Sequence, residues 1–95
     1  MELIATSDIA FCKGAGDYVE LVFKERASVL HSQSLSDMEA TLPGTFLRVH
    51  RSYLVNTAFI RALEREASGG KLILATGHSI PVSRRILPSV RKALG

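Results

Sequence analysis

The 95-residue chain reads as a mainly β domain of short strands, with one short central helix and a C-terminal helical segment. Three observations predict this. Apolar residues alternate over short runs, as at Tyr18–Phe23, where Val19, Leu21 and Phe23 share one face and Tyr18, Glu20 and Val22 the other. Runs rich in aromatic and β-branched residues are broken at short intervals by Gly, Pro, Asp or Ser. Helical spacing of apolar residues occurs only around residues 34–42 and after residue 84.

In chain order, Leu3-Ile4 and Ile9-Ala10-Phe11 read as strands either side of a polar turn at Thr6-Ser7-Asp8. Gly14-Ala15-Gly16-Asp17 reads as a hairpin loop, because glycine permits positive φ and Asp17 can bond nearby backbone. The strand at Tyr18–Phe23 is followed by a turn at Glu25-Arg26 and a partner strand over residues 27–31. In the central helix Ser36 and Glu39 have capping-box spacing and Asp37 suits the positive end of the dipole. Leu35, Met38 and Leu42 give that helix a narrow apolar stripe, suited to packing on a sheet, and Pro43-Gly44 ends it. Residues 59–63 and 71–76 read as a hairpin turning at Ser68-Gly69-Gly70. Gly77-His78-Ser79 turns again into Ile80-Pro81-Val82, an edge strand or strand start because Pro81 lacks a ladder donor. Ser83 reads as an N-cap for a helical segment carrying Ile86, Leu87, Val90 and Leu94, with Pro88 limiting where it begins. The tally is some nine short strands and two helical segments in one domain, with no repeat, low-complexity run or linker.

Composition narrows the function. Hydrophobic content of 46% with 22% charged residues is ordinary for a globular domain and argues against disorder. The single cysteine, Cys12, excludes an internal disulfide and Cys-rich zinc modules and fits a reducing cytoplasm. No apolar run approaches the roughly 20 residues of a membrane span, and no basic-then-apolar leader opens the chain. His31, His50 and His78 lie in separate segments without HExxH spacing, and GxSxG, a P-loop and paired carboxylates are absent. Gly14 and Gly16 lack the third glycine and the helix of a dinucleotide loop. The expectation is a binding module with no catalytic residues, metal or cofactor. Charge points to its partner. Residues 1–43 carry three bases against seven acids, a net −4, whereas residues 44–95 carry nine against two, a net +7. A basic half on a small domain suits a polyanion.

The most telling stretch is residues 44–60. Phe46–His50 and Tyr53-Leu54-Val55 have strand character, yet His50-Arg51-Ser52 interrupts them with an imidazole, a guanidinium and a hydroxyl, donors suited to phosphate oxygens and base edges. The run Phe46-Leu47-Arg48-Val49-His50-Arg51-Ser52-Tyr53-Leu54-Val55-Asn56 resembles the signature of the LytTR family, the DNA-binding output domain of LytR/AlgR-type bacterial response regulators. Ile60 fits the apolar position that follows, and Ile80-Pro81-Val82-Ser83-Arg84-Arg85 resembles the family's second motif. Asp8-Ile9-Ala10-Phe11 and Gly16-Asp17-Tyr18-Val19 fit upstream, so the resemblance covers nearly the whole chain.

The resemblance implies an elongated, mostly antiparallel β fold that contacts double-stranded DNA through loops rather than a recognition helix. Carried over by position, those loops are Gly16-Asp17, His50-Arg51-Ser52 and Ser83-Arg84-Arg85. Arg51 and Arg84 are the base-edge candidates, since a guanidinium pairs bidentately with guanine O6 and N7. Lys13, His50, Ser52, Ser83 and Arg85 suit phosphates, and Asp17 reads as holding its loop in preference to accepting a hydrogen bond from cytosine N4. Asn56 reads as bonding local backbone to hold the bend after it, and Arg48 as either a solvated strand face or a companion of His50. The family further implies direct-repeat sites taken by two copies, a homodimer on DNA, an N-terminal receiver or sensor domain outside this chain, and a first strand trimmed here. No membrane partner is expected. The alternative is a β-rich protein–protein or RNA-binding module; an RNA-binding sheet would display stacking aromatics, and only Tyr18 and Tyr53 could be exposed rings.

Overall fold

Period-2 alternation and short turns build two antiparallel sheets. The computed structural model describes residues 4–95. A 3-10 turn at Thr6–Asp8 leads into β1 (Ile9–Ala15), β2 (Tyr18–Phe23), β3 (Val29–His31), α1 (Leu35–Thr41), β4 (Phe46–His50) and β5 (Tyr53–Asn56). A second 3-10 turn, Thr57–Phe59, precedes β6 (Ile60–Glu66), β7 (Gly69–Leu74), β8 (Ser79–Ser83) and α2 (Leu87–Leu94). The strand orders are β3-β2-β1-β5-β4 and β6-β7-β8. β4 packs beside β8, and the two sheets share a core. The molecule is elongated, 43 × 25 × 20 Å.

The five-stranded sheet is apolar on both faces. Cys12, Val19, Leu21 and Leu54 meet Leu35 and Met38 of α1 on one side. Phe11, Val49 and Val55 meet Leu72, Leu74, Ile80 and Val82 of the second sheet, with Leu87 and Val90 of α2, on the other. A bulge between Ile9 and Phe11 lets β1 bury four consecutive residues, Ile9 through Cys12. Asn56 is the buried polar residue among those described. Its Oδ1 accepts from Ala58 N at 3.1 Å, which caps the following turn as the sequence suggested, and its Nδ2 donates to Ile9 O at 3.0 Å across the sheet.

Several boundaries differ from the sequence reading, each for a local reason. Leu3 lies outside the described residues, and Ile4 is not in a strand. The first hairpin loop is Gly16-Asp17 alone, because Gly14 and Ala15 pair with Val19 and Tyr18. The third strand shrinks to Val29–His31. α1 is capped by Ser34, whose side chain accepts from Asp37 N, not by Ser36. The β6–β7 turn is Ala67-Ser68, with Gly69 and Gly70 already paired in β7, while Ser79 belongs to β8. Phe59 falls in the 3-10 turn. Ser83 ends β8 instead of capping a helix; α2 opens after Ile86 with Pro88 in its first turn, where a missing N–H costs nothing. Eight strands result among the described residues, and Pro81 sits on the edge strand β8 as expected.

Candidate nucleic-acid interface

Strand register decides which turns share an edge. Lys13 pairs with Tyr53 across β1–β5, and Tyr53 with His50 across β5–β4. The β1–β2 and β4–β5 turns therefore lie at the same end of the five-stranded sheet. Gly14 N donates to Ser52 O at 2.9 Å and ties them together. In the first turn Gly16 takes φ +70° and Asp17 does not take positive φ, the pattern of a type II′ hairpin. Gly16 sets this loop. The Asp17 carboxylate is exposed and bonds nothing among the described residues, which removes its expected loop-holding role.

The β4–β5 turn is held from beneath by Arg48. Its Nε donates to His50 O at 2.9 Å, its Nη2 to Arg51 O at 2.6 Å, and its Nη1 pairs with Glu39 of α1 at 2.9 Å. One planar fork thus fixes two successive carbonyls, His50 before the turn and Arg51 within it, and anchors the turn to a helix. A register shift between Arg48 and His50 separates their faces: Arg48 turns toward α1, while His50 sits opposite Tyr53. Arg48 is therefore not a solvated face; its fork braces the turn and bonds the His50 carbonyl itself. Sequence reasoning missed this role. The available signal was parity, since Arg48 shares its face with buried Phe46.

His50 accepts from Ser52 N at Nδ1, 3.1 Å, so in the neutral ring the proton belongs on Nε2, which remains a donor. The ring stands edge-on to Tyr53 at 5.6 Å, and Lys13 Nζ lies 6.0 Å from the centroid of the same tyrosine. At the tip, the exposed Arg51 side chain has no partner among the described residues.

The third loop, Arg84 to Ile86, follows β8. Gly69 takes φ +140°, and a Cβ there would collide with the Val82 carbonyl oxygen and approach Arg84 N to 2.9 Å. Glycine is what lets β7 lie against the end of β8. Arg84 Nη2 donates to Ala67 O at 2.7 Å, so its guanidinium leans on the β6–β7 turn. Arg85 instead joins Arg48, His50, Arg51, Ser83 and Ile86 around a depression of about 540 Å³. The fold thus brings together His50, Arg51, Ser83 and Arg85, sets Ser52 and Gly16-Asp17 beside them through the Gly14 bond, and aims Arg84 along a neighbouring turn.

Other chemistry is disfavoured by the residues themselves. Cys12 is buried, and burial pushes its thiol up to about 12, so it stays protonated near neutral pH and is a poor nucleophile. No helix among the described residues is long and apolar enough to cross a membrane.

Exposed loops bearing guanidinium, imidazole and hydroxyl groups stand braced on one edge of an elongated β scaffold. The chain belongs to the LytTR family: the profile of the LytTr DNA-binding domain matches residues 1–95. LytTR domains are DNA-binding domains of transcriptional regulators, not an enzyme family. The chain is 35% identical over 94 residues to the transcriptional regulatory protein BtsR of Escherichia coli K12, covering 98% of this chain and 38% of that protein. It is 34% identical over 98 residues to the CO-responsive transcriptional regulator RcoM of Rhodospirillum rubrum, covering 98% of this chain and 40% of that one. The sensory transduction protein LytT of Bacillus subtilis matches at 39% over 70 residues, 67% of this chain and 29% of that protein. A solved LytTr DNA-binding domain from Bacillus cereus superposes with a TM-score of 0.88 at 29% identity, covering 97% of this chain and 85% of that one. The chain therefore spans well under half the length of the curated relatives it matches.

Proposed function

We propose that this domain reads specific duplex DNA as the output unit of a cytoplasmic response regulator, two copies occupying a direct repeat. The observation that carries the reading is the gathering of three loops on one edge, two tied by the Gly14–Ser52 bond and two lining a common depression. In this reading Arg51 and Arg84 pair with guanine edges. The unpartnered guanidinium of Arg51 supports its part. Arg84 uses one N–H on Ala67 O, which orients the fork while leaving its other donors available. Lys13, His50, Ser52, Ser83 and Arg85 fix register on phosphates, and the backbone at Gly16-Asp17 approaches a third segment of the duplex. The input comes from a receiver or sensor domain preceding this one in the full-length protein, a view supported by the share of each relative that the match leaves uncovered.

Selection from a random duplex pool tests the reading as a whole, with enrichment of a short direct repeat expected. Competition at fixed salt between the selected duplex and a scrambled one tests the residues. Arg51→Ala and Arg84→Ala each lose about 1–3 kcal/mol against the selected site alone. Lys13→Ala and Arg85→Ala weaken both duplexes equally, because phosphates carry no sequence information. Equal weakening by Arg51→Ala, with the fold intact by circular dichroism, would make that residue a backbone clamp.

A further inference from the structure

Strand register lines up a row of side chains that runs beyond the three loops. Glu20 pairs with Lys13, Lys13 with Tyr53 and Tyr53 with His50, so all four project from one face of the five-stranded sheet. It is the face that carries the second sheet, since Phe11, two residues before Lys13, is buried in one core with Leu72 and Ile80. β8 runs alongside this row. Its last residue, Ser83, lines the depression that holds His50 and Arg85. Its first two residues, Ser79 and Ile80, line a second hollow of about 430 Å³ with Lys13, Tyr53 and His78. Lys13 to His50 crosses two strand spacings, about 10 Å, and Ser79 to Ser83 spans about 13 Å. The two hollows therefore lie at the ends of one strip, bounded by β8 and the row.

A histidine is held in the same way at each end of the strip. His50 Nδ1 accepts from Ser52 N, and its ring stands edge-on to Tyr53, 5.6 Å between centroids at 68°. His78 Nδ1 lies 2.7 Å from Thr76 Oγ1, and its ring stands edge-on to Phe11, 4.9 Å at 68°. Thr76 Oγ1 also accepts from His78 N at 3.4 Å, so its own proton is directed to Nδ1 and the neutral ring carries hydrogen on Nε2. Between the histidines Lys13 Nζ stands 6.0 Å from the Tyr53 centroid, without an ion-pair partner among the described residues. Glu20, the one acid lining the second hollow, faces Lys13 in register but accepts from Ser28 Oγ at 2.8 Å instead. The exposed Ser79 hydroxyl bonds nothing among the described residues.

We propose that this strip carries a length of the duplex backbone, with His78 Nε2, Lys13 Nζ and the Ser79 hydroxyl on one phosphate and His50 with Arg85 on another. The inference rests on the duplex-binding reading above and extends it to the β7–β8 turn, which none of the three loops includes. Donors spread over about 10 Å suit a polyanion with repeated charges better than a single small anion. Each imidazole is fixed by its own chain before a ligand arrives, so little side-chain freedom is lost on binding.

The test scans a selected single-site duplex with neutral methylphosphonate linkages placed one at a time. Wild type loses affinity at the linkage that Lys13 contacts, identified as the one where Lys13→Ala loses its sensitivity. His78→Phe, which keeps a ring against Phe11 but no donor, loses sensitivity at that same linkage. On the unmodified duplex it binds about tenfold more weakly, near the lower end for a hydrogen bond to a charged group. Ser79→Ala shows the same change with a smaller loss, and tests the strip independently should the ring substitution unsettle the turn. Wild-type affinity of both variants on the unmodified duplex would overturn the inference. Weaker binding with an unchanged pattern of sensitive linkages would also overturn it, by giving His78 a purely structural part. In both cases a site selected by the wild type leaves the duplex reading standing. Failure to select any site would remove that reading and the inference with it.

Discussion

Arg48 and Arg51 are three positions apart and carry the same side chain, yet their surroundings give them opposite tasks. Arg48 spends its fork on two carbonyls and a carboxylate of its own chain, while Arg51 stays unpaired at the tip. Arg48→Ala would leave the His50 and Arg51 carbonyls without that donor and release the turn from Glu39. The expected cost is about 1.5–3 kcal/mol of stability, the range for hydrogen bonds to charged groups. Binding to the selected duplex should weaken as well, although Arg48 itself contacts only protein. Arg48→Lys should recover little of either, because an ammonium cannot serve three acceptors in one plane. Thermal melting with a competition assay checks this; a lysine variant with full affinity would mean that charge alone suffices. The motif marked the residues of this turn, but not their division of labour. Period-2 alternation predicts Arg48 and His50 on one face, and the register shift between them, set by tertiary pairing, parts them.

At the scale of elements, interiors were legible and ends were not. β2 spans the residues its alternation marks, and Leu35 and Met38 are buried as the stripe in α1 required. Ends depend on which of several polar residues wins a backbone bond. Ser34 and Ser36 both stand near the start of α1, and the capping-box spacing favoured Ser36; the bond to Asp37 N goes to Ser34. Likewise Ser83 looked like a cap, but pairing with Gly69 keeps it in β8. The cap assignment is directly testable. Ser34→Ala should cost about 1 kcal/mol in chemical denaturation, and Ser36→Ala, exposed within the first turn, should change little. Leu35→Ala or Met38→Ala should cost about 2–4 kcal/mol by opening a cavity under the sheet, with affinity for DNA unchanged in what remains folded. A fully stable Met38→Ala variant with lost binding would move α1 from the core to the interface.

Over the whole molecule the question is how the +7 half is distributed. Six of its nine cations fall into two groups with different geometry. Arg51, Arg84 and Arg85 stand on the loop edge, whereas Arg61, Arg91 and Lys92 line a depression between β6 and α2. Each phosphate neutralised on B-DNA contributes about −0.9 to the slope of log K against log salt. With about five phosphate contacts from the loop edge, a single domain on a single site should show a slope of about −4 to −5. Removing a phosphate-contacting side chain by Lys13→Ala or Arg85→Ala should make it shallower by about 0.9. Arg51→Ala should lower affinity with a smaller change of slope if its partner is a base edge. Arg61→Ala and Arg91→Ala together should leave the slope where it was if the proposed loops alone meet the duplex, because those cations line a separate depression. A salt titration of these variants on one duplex therefore sorts the basic half residue by residue. A slope near zero for the wild type would sink the electrostatic account. A slope that became shallower by nearly two in the Arg61/Arg91 variant would show the duplex reaching that depression.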